Sequence, residues 1–358
     1  MERTDYNSIY TEKYHSRSVD ILKFWLMPFV MLVFFGLPTA AGSYMQLFSN
    51  FAAPAFFILS GFFILTPDDT VRRAKLNSAV KRSFKFFLVL FAVYLAINLA
   101  YLLYVSTNND WVREIIRKRT AFDFIVLNVW PFPIGGSIWF IHSLFYADII
   151  LLIADKLGLL KKASVFIPVF ILLVFIMLFS GEFAKISGFP YFEYNYIPAG
   201  GITRALPYML LGMIIRRYAN SILNVNRKVF PVFFLIGLLL AALEVYLLTR
   251  FKLLVYTGHT VGFCIMAVSV CCFALSKTDC RDSFLSSHGN NYAKRIYAFS
   301  QPVYFVIIVL LSSIVTKKYW VAAKAFSGVT TFLICLLISY LIGLVKFAII
   351  DIKKNNKQ

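Results

Sequence analysis

Ten times along this chain, apolar residues run on for a length that a bilayer, rather than a protein core, demands. A helix needs about 20 predominantly apolar residues to cross a hydrocarbon layer of roughly 30 Å. Windows of that kind fall at 21–41, 44–66, 86–106, 138–156, 164–180, 201–215, 229–248, 256–275, 297–315 and 328–350. The shortest, 201–215, opens on a polar edge at Arg204. Backbone N–H and C=O groups find no water at that depth, so such runs must satisfy them internally, as helices. The expected fold is therefore all-α, a polytopic membrane protein with about ten transmembrane helices. Composition agrees. The 358 residues are 60% hydrophobic and 15% charged, with a mean hydropathy of +0.75, where a soluble domain carries about 25% charged residues. A soluble enzyme domain, a disordered chain and a secreted disulfide scaffold are excluded. Thr39-Ala40-Ala41 has the small side chains of a cleavage site, but the first apolar run is long and reads as a retained helix.

The net charge of +19 would suit nucleic acid only if the basic residues shared one face of a soluble fold. They gather instead between the apolar runs, and nucleic-acid binding is not expected. Of the 36 Lys and Arg residues, 25 lie in the N-terminus through Lys23, in 67–85, 156–163, 216–228 and 277–295, and in the tail from Lys346. The excess places those segments, and both termini, in the cytoplasm. Arg72, Arg73, Lys75, Lys81, Arg82 and Lys85 form the densest inner cluster. It reads either as a topogenic loop touching anionic lipid or as a docking surface for an anionic cytosolic cofactor. On the opposite side, 107–137, 181–200 and 316–326 mix aromatics with charges, as in Tyr191-Phe192-Glu193-Tyr194. These suit an interfacial aromatic belt or a sugar-binding mouth. Cys264, Cys271, Cys272 and Cys335 sit in apolar runs and Cys280 in a polar loop, the placement of small buried hydrophobes. No Cys/His spacing suits a metal, and no phosphate loop, dinucleotide fingerprint or nucleophile elbow is present.

An ionisable residue inside a span is costly and marks a candidate site. Asp20 and Lys23 stand three apart at the inner end of the first helix, on one face. Arg204 opens the sixth span and Glu244 lies toward the outer end of the seventh, so an Arg–Glu pair lining an outward cavity is expected. His142 and Asp148 share the fourth span, six apart and pointing to nearly opposite sides. His259 sits near the outer end of the eighth span, and His15 and His288 lie in inner polar segments.

Several segments together resemble the acyltransferase-3 membrane family. Arg17-Ser-Val-Asp20-Ile-Leu-Lys23 before an apolar helix is the first. Phe51-Ala-Ala-Pro-Ala-Phe-Phe-Ile-Leu-Ser60-Gly61-Phe is similar to that family's "FF-x-LSGF" helix. Ile138-Trp139-Phe140-Ile141 with Leu144 resembles its "WFL…L" element, and Arg204-Ala-Leu-Pro-Tyr-Met-Leu-Leu-Gly212-Met its "R-x-LPFFLLGM" segment. Glu244 is similarly placed, and Ser300-Gln301-Pro follows an Ile-Tyr pair as in "S-x-x-IY-x-x-H-P". The resemblance covers nearly the whole chain and implies one domain over 1–358. It implies a multi-pass protein of a bacterial cytoplasmic membrane that moves an acyl group, usually acetyl, from acyl-coenzyme A to a hydroxyl of a cell-envelope glycan or lipid-linked sugar. Membrane lipid and that glycan are the implied partners and acyl-coenzyme A the co-substrate, with no metal.

The family pattern sets a histidine eleven residues after the basic residue of its first helix, within about 20° of the same face. Here Lys23 is followed eleven residues later by Phe34, and Gln301 stands at the late histidine position. Three readings follow: transfer with another base, an inactive member that binds or moves a glycan, or a site at another register. In the first, His142 is the catalytic base, with Glu244 next. Lys23, Asp20, Arg72 and Arg73 bind the donor, and Arg204, Trp139 and Gln301 bind the acceptor. Ser60 and Gly61 allow close helix approach.

Overall fold

The computed structural model describes residues 5, 16–36, 40–104, 123, 137–179, 183, 186, 201–253, 260–277, 283–315 and 319–355. Among them every regular element is a helix. In chain order these are α1 (Arg17–Phe35), α2 (Ala40–Phe48), α3 (Ala52–Ile64), α4 (Asp69–Tyr104), α5 (Ile138–Lys156), α6 (Ala163–Phe179), α7 (Leu206–Arg217), α8 (Val229–Arg250), α9 (Val261–Leu275), α10 (Phe284–Ile314) and α11 (Trp320–Asn355). A 3₁₀ turn, Ser49–Phe51, joins α2 to α3, and a π-helical turn, Gly201–Ala205, leads into α7. Each of the ten apolar windows overlaps described helix, 44–66 falling on two helices joined by a 3₁₀ turn, and among the described residues seven helical stretches are long and apolar enough to cross a membrane. The protein is an all-α polytopic membrane protein.

The windows mark the apolar parts of the helices and miss their polar extensions. Residues 69–85, expected as a loop, are the first half of α4, which runs unbroken for 36 residues. Asp68 starts it. Its Oδ1 accepts the Thr70 and Val71 N–H groups and the Thr70 hydroxyl, and these bonds hold the carboxyl below its usual range. Likewise α10 begins inside the expected inner polar segment, at a reciprocal Ser283–Ser286 capping box, and α11 carries on through the C-terminal basic tail. At 256–275 the helix is shorter than the window, since α9 begins at Val261 and 254–259 lie outside the described residues.

Two compact units share the helices: Met1–Ser16 with Asn50–Asp279, and Arg17–Ser49 with Cys280–Gln358. In the first, α3 is the central helix, with Phe57, Ile58, Leu59 and Phe62 all buried. It crosses α7 at small residues. A Cβ on Gly61 would stand 1.9 Å from the Met209 carbonyl oxygen, and one on Gly212 would stand 2.0 Å from that of Ile58. The pair α8–α9 closes in the same way through Gly237, Ala241 and Gly262, and α4 lies along α5. Gly158, at φ +72°, ends α5 in the left-handed conformation, its N–H donating to the Asp155 carbonyl at 2.9 Å. In the second unit, α1 packs on α10, and α10 on α11 through Arg295, which donates to the Ser339 carbonyl at 2.8 Å. Leu235, Leu239 and Leu243 on α8 and Phe326, Leu333 and Leu337 on α11 are exposed, the outward apolar surface expected of lipid-facing helices.

Candidate functional site

Within the first unit, the π turn before α7 and the first half of α5 bring several of the expected site residues together. Gly201 lets the turn lie against α5, where a Cβ would meet the Tyr146 Cβ at 2.7 Å and the Ser143 carbonyl oxygen at 2.9 Å. That approach sets the buried Arg204 over the indole of Trp139, 4.6 Å from the ring centroid, a cation–π contact in a desolvated setting. His142 follows Trp139 by three residues and so shares its face of α5. Its buried ring stacks on Phe87 of α4, with centroids 5.0 Å apart, and meets Tyr146 edge-on at 4.5 Å. A cation, an indole and an imidazole thus lie within one turn of α5, where water is scarce and polar groups act strongly.

Other expectations resolve differently. Glu244 does not pair with Arg204. Its two carboxylate oxygens accept the Val261 and Gly262 N–H groups at 3.2 and 3.0 Å, capping α9. A free helix N-terminus inside a membrane binds a carboxylate strongly, so both Glu244 oxygens are committed to that cap. Asp148 lies apart from His142, as its position on α5 implies, with Oδ2 accepting the Ser83 hydroxyl at 2.9 Å. Arg72 is buried. It donates to Asp155 at 2.6 Å, to Asp69 at 2.7 Å and to the Thr66 carbonyl at 3.2 Å. Asp155 also accepts from Arg73 at 3.2 Å, and Lys161 pairs with Asp69. Arg72 is therefore a staple between α4 and α5, committed to three acceptors. Arg73, whose side chain is half exposed, keeps donors for a ligand.

In the second unit, Lys23 on α1 donates to Asp20 at 3.4 Å and to Asn290 of α10 at 3.3 Å. Gly289 makes this possible, since a Cβ there would lie 2.3 Å from the Asp20 carbonyl oxygen. Farther along the same interface Phe34 meets Tyr297 edge-on and Phe35 stacks on Tyr304. Gln301 is buried on α10, just before Pro302.

A family model described as an acyltransferase domain matches residues 16–346. The chain belongs to the acyltransferase-3 family. Comparison with curated proteins and with solved structures returns no match. Membership makes the protein a membrane acyltransferase in general terms. Among the described glycines, the two closest backbone approaches, at Gly61 and Gly212, fall in the acyltransferase-3 segments read from the sequence. Asn290, Tyr146 and Asp155 were not singled out in the sequence. Each meets its partner only through the fold, although the Gly289-Asn290-Asn291 break in an otherwise helical run was a visible signal. His15, His259, Cys280 and the aromatic segments 107–122, 124–136 and 187–200 lie outside the described residues.

Proposed function

We propose that this protein transfers an acyl group, acetyl in the first instance, from acyl-coenzyme A to a hydroxyl of a cell-envelope glycan or lipid-linked sugar. The acyltransferase domain match over 16–346 carries this reading. The Arg204–Trp139–His142 cluster supplies chemistry that suits it. His142 accepts the acceptor's hydroxyl proton as the oxygen attacks the thioester carbonyl. The C–S bond then breaks, and the leaving sulfur takes up a proton as the coenzyme's free thiol. Trp139 presents a face on which a sugar ring stacks, and Arg204 orients its hydroxyls. On the donor side, Arg73 of the same unit keeps exposed donors that attract the coenzyme's phosphates.

A second reading rests on Phe34. The residue eleven positions after Lys23 is a phenylalanine packed on Tyr297, with no proton to exchange where the family pattern has a histidine. On that reading the scaffold binds or moves a glycan without chemistry. Purified protein in nanodiscs, given labelled acetyl-coenzyme A and an envelope glycan fraction, separates the two. Label transferred by the wild type and lost by at least about 100-fold in His142→Ala, the scale of general-base catalysis, supports transfer with a relocated base. Transfer that survives His142→Ala removes His142 from the mechanism. Glycan binding without turnover in the wild type favours the second reading.

A further inference from the structure

The mechanism above leaves the second half of the most basic stretch, Lys81 to Lys85, unused. Helix α4 is 36 residues long, about 54 Å, against a hydrocarbon layer of about 30 Å. Its apolar half begins near Phe84, so the 81–85 turn marks the level where α4 leaves the hydrocarbon. Lys81, Arg82 and Lys85 are exposed there, and Phe84, Leu88 and Val89 are exposed beside them. Positions 81, 84, 85 and 88 share one face of the helix. That face therefore changes from cationic to apolar within two turns.

The cations are only partly neutralised from within, through Arg82 and Asp148. After Asp69, α4 carries no acidic residue. On α5, packed against it, Asp148 is bonded to Ser83 and Asp155 to Arg72 and Arg73. Lys81 and Lys85 make no ion pair or side-chain hydrogen bond among the described residues, while Arg82 bonds the Ser78 carbonyl of its own helix at 3.2 Å and lies within electrostatic reach of Asp148 on α5. The buried staple at Arg72 lies nine residues and about 14 Å away along the axis, so this turn is separate from it.

We propose that the Lys81–Lys85 turn of α4 binds the headgroup of an anionic phospholipid in the leaflet at the basic end of the helix, which the Lys/Arg bias makes the inner one. The phosphate sits among Lys81, Arg82 and Lys85, and the acyl chains lie on Phe84, Leu88 and Val89. Charge complementarity and the apolar stripe that continues the same face select a lipid over a soluble anion. The proposal holds whether or not the chain transfers an acyl group.

Native mass spectrometry of the full-length protein tests it, after reconstitution with phosphatidylglycerol and phosphatidylcholine and extraction into mild detergent. The wild type should retain phosphatidylglycerol over phosphatidylcholine by at least about ten-fold, given three cations at a charged surface. K81Q/R82Q/K85Q should fall to near parity, while K81R/K85R should keep the preference. Raising salt to about 1 M should erase it in the wild type, a reading that does not depend on how well a variant folds. Equal retention of the two lipids, a preference untouched by the triple substitution, or one that persists at high salt would each overturn the proposal. So would displacement of the retained lipid by coenzyme A, which would assign the turn to the donor.

Discussion

Asp155 shows how burial reassigns a charge that composition alone would leave at the surface. Its carboxylate takes hydrogen bonds from Arg72 and Arg73, both from another helix, and its side chain is fully buried. Removing one partner of such a cluster leaves charge buried without compensation, at about 3–5 kcal/mol. Asp155→Ala should therefore lower the unfolding temperature in detergent sharply, whereas Arg73→Ala should leave it nearly unchanged and raise the Michaelis constant for the acyl donor. Equal thermal losses in the two variants would show that Arg73 is part of the staple. None of this was visible in one sequence. Arg72 and Asp155 are 83 positions apart, and a basic cluster gives no sign of which of its members will be drawn inside.

At the scale of elements, hydropathy located the long helices because lipid contact demands a nearly continuous apolar run. It could not show where α4, α10 and α11 begin or end. Their polar turns are built from Lys, Arg, Ala, Leu and Asn, and helix propensity and caps hold those turns, not partition into lipid. The crossing of α3 and α7 was partly legible as well, since Ser60-Gly61 and Gly212 stood out as small residues in apolar helices. What the sequence could not show is how close the two backbones come. A methyl group on Gly212 has no room beside the Ile58 carbonyl at 2.0 Å, and the helices must separate to admit it. Gly212→Ala should cost about 3 kcal/mol or more. Gly158→Ala, at φ +72° with nothing within 4 Å of the added carbon, should cost only about 1–2 kcal/mol. Thermal denaturation of the two variants side by side checks the order, and a reversed order would mean that α3 and α7 are not in backbone contact.

Across the whole molecule, the distribution of Lys and Arg predicts that the segment 107–137 is external and 216–228 internal. An impermeant thiol reagent added to right-side-out vesicles should label Thr107→Cys and spare Asn224→Cys, and labelling in the opposite sense would invert the molecule. The arrangement of α8 and α9 shows how a short helix is housed in the fold. Helix α9 spans 15 residues, about 22 Å, and begins level with Glu244, roughly 9 Å short of the end of α8 at Arg250. Its first four N–H groups are all satisfied at that depth, by Glu244, by the Thr260 hydroxyl and by the Thr260 carbonyl. The start of α9 is thus built to lie below the level at which its neighbour emerges. Within α9 only Phe273 is exposed, so that end is surrounded by protein rather than lipid, and a helix too short to cross alone is housed there because its backbone is satisfied without water.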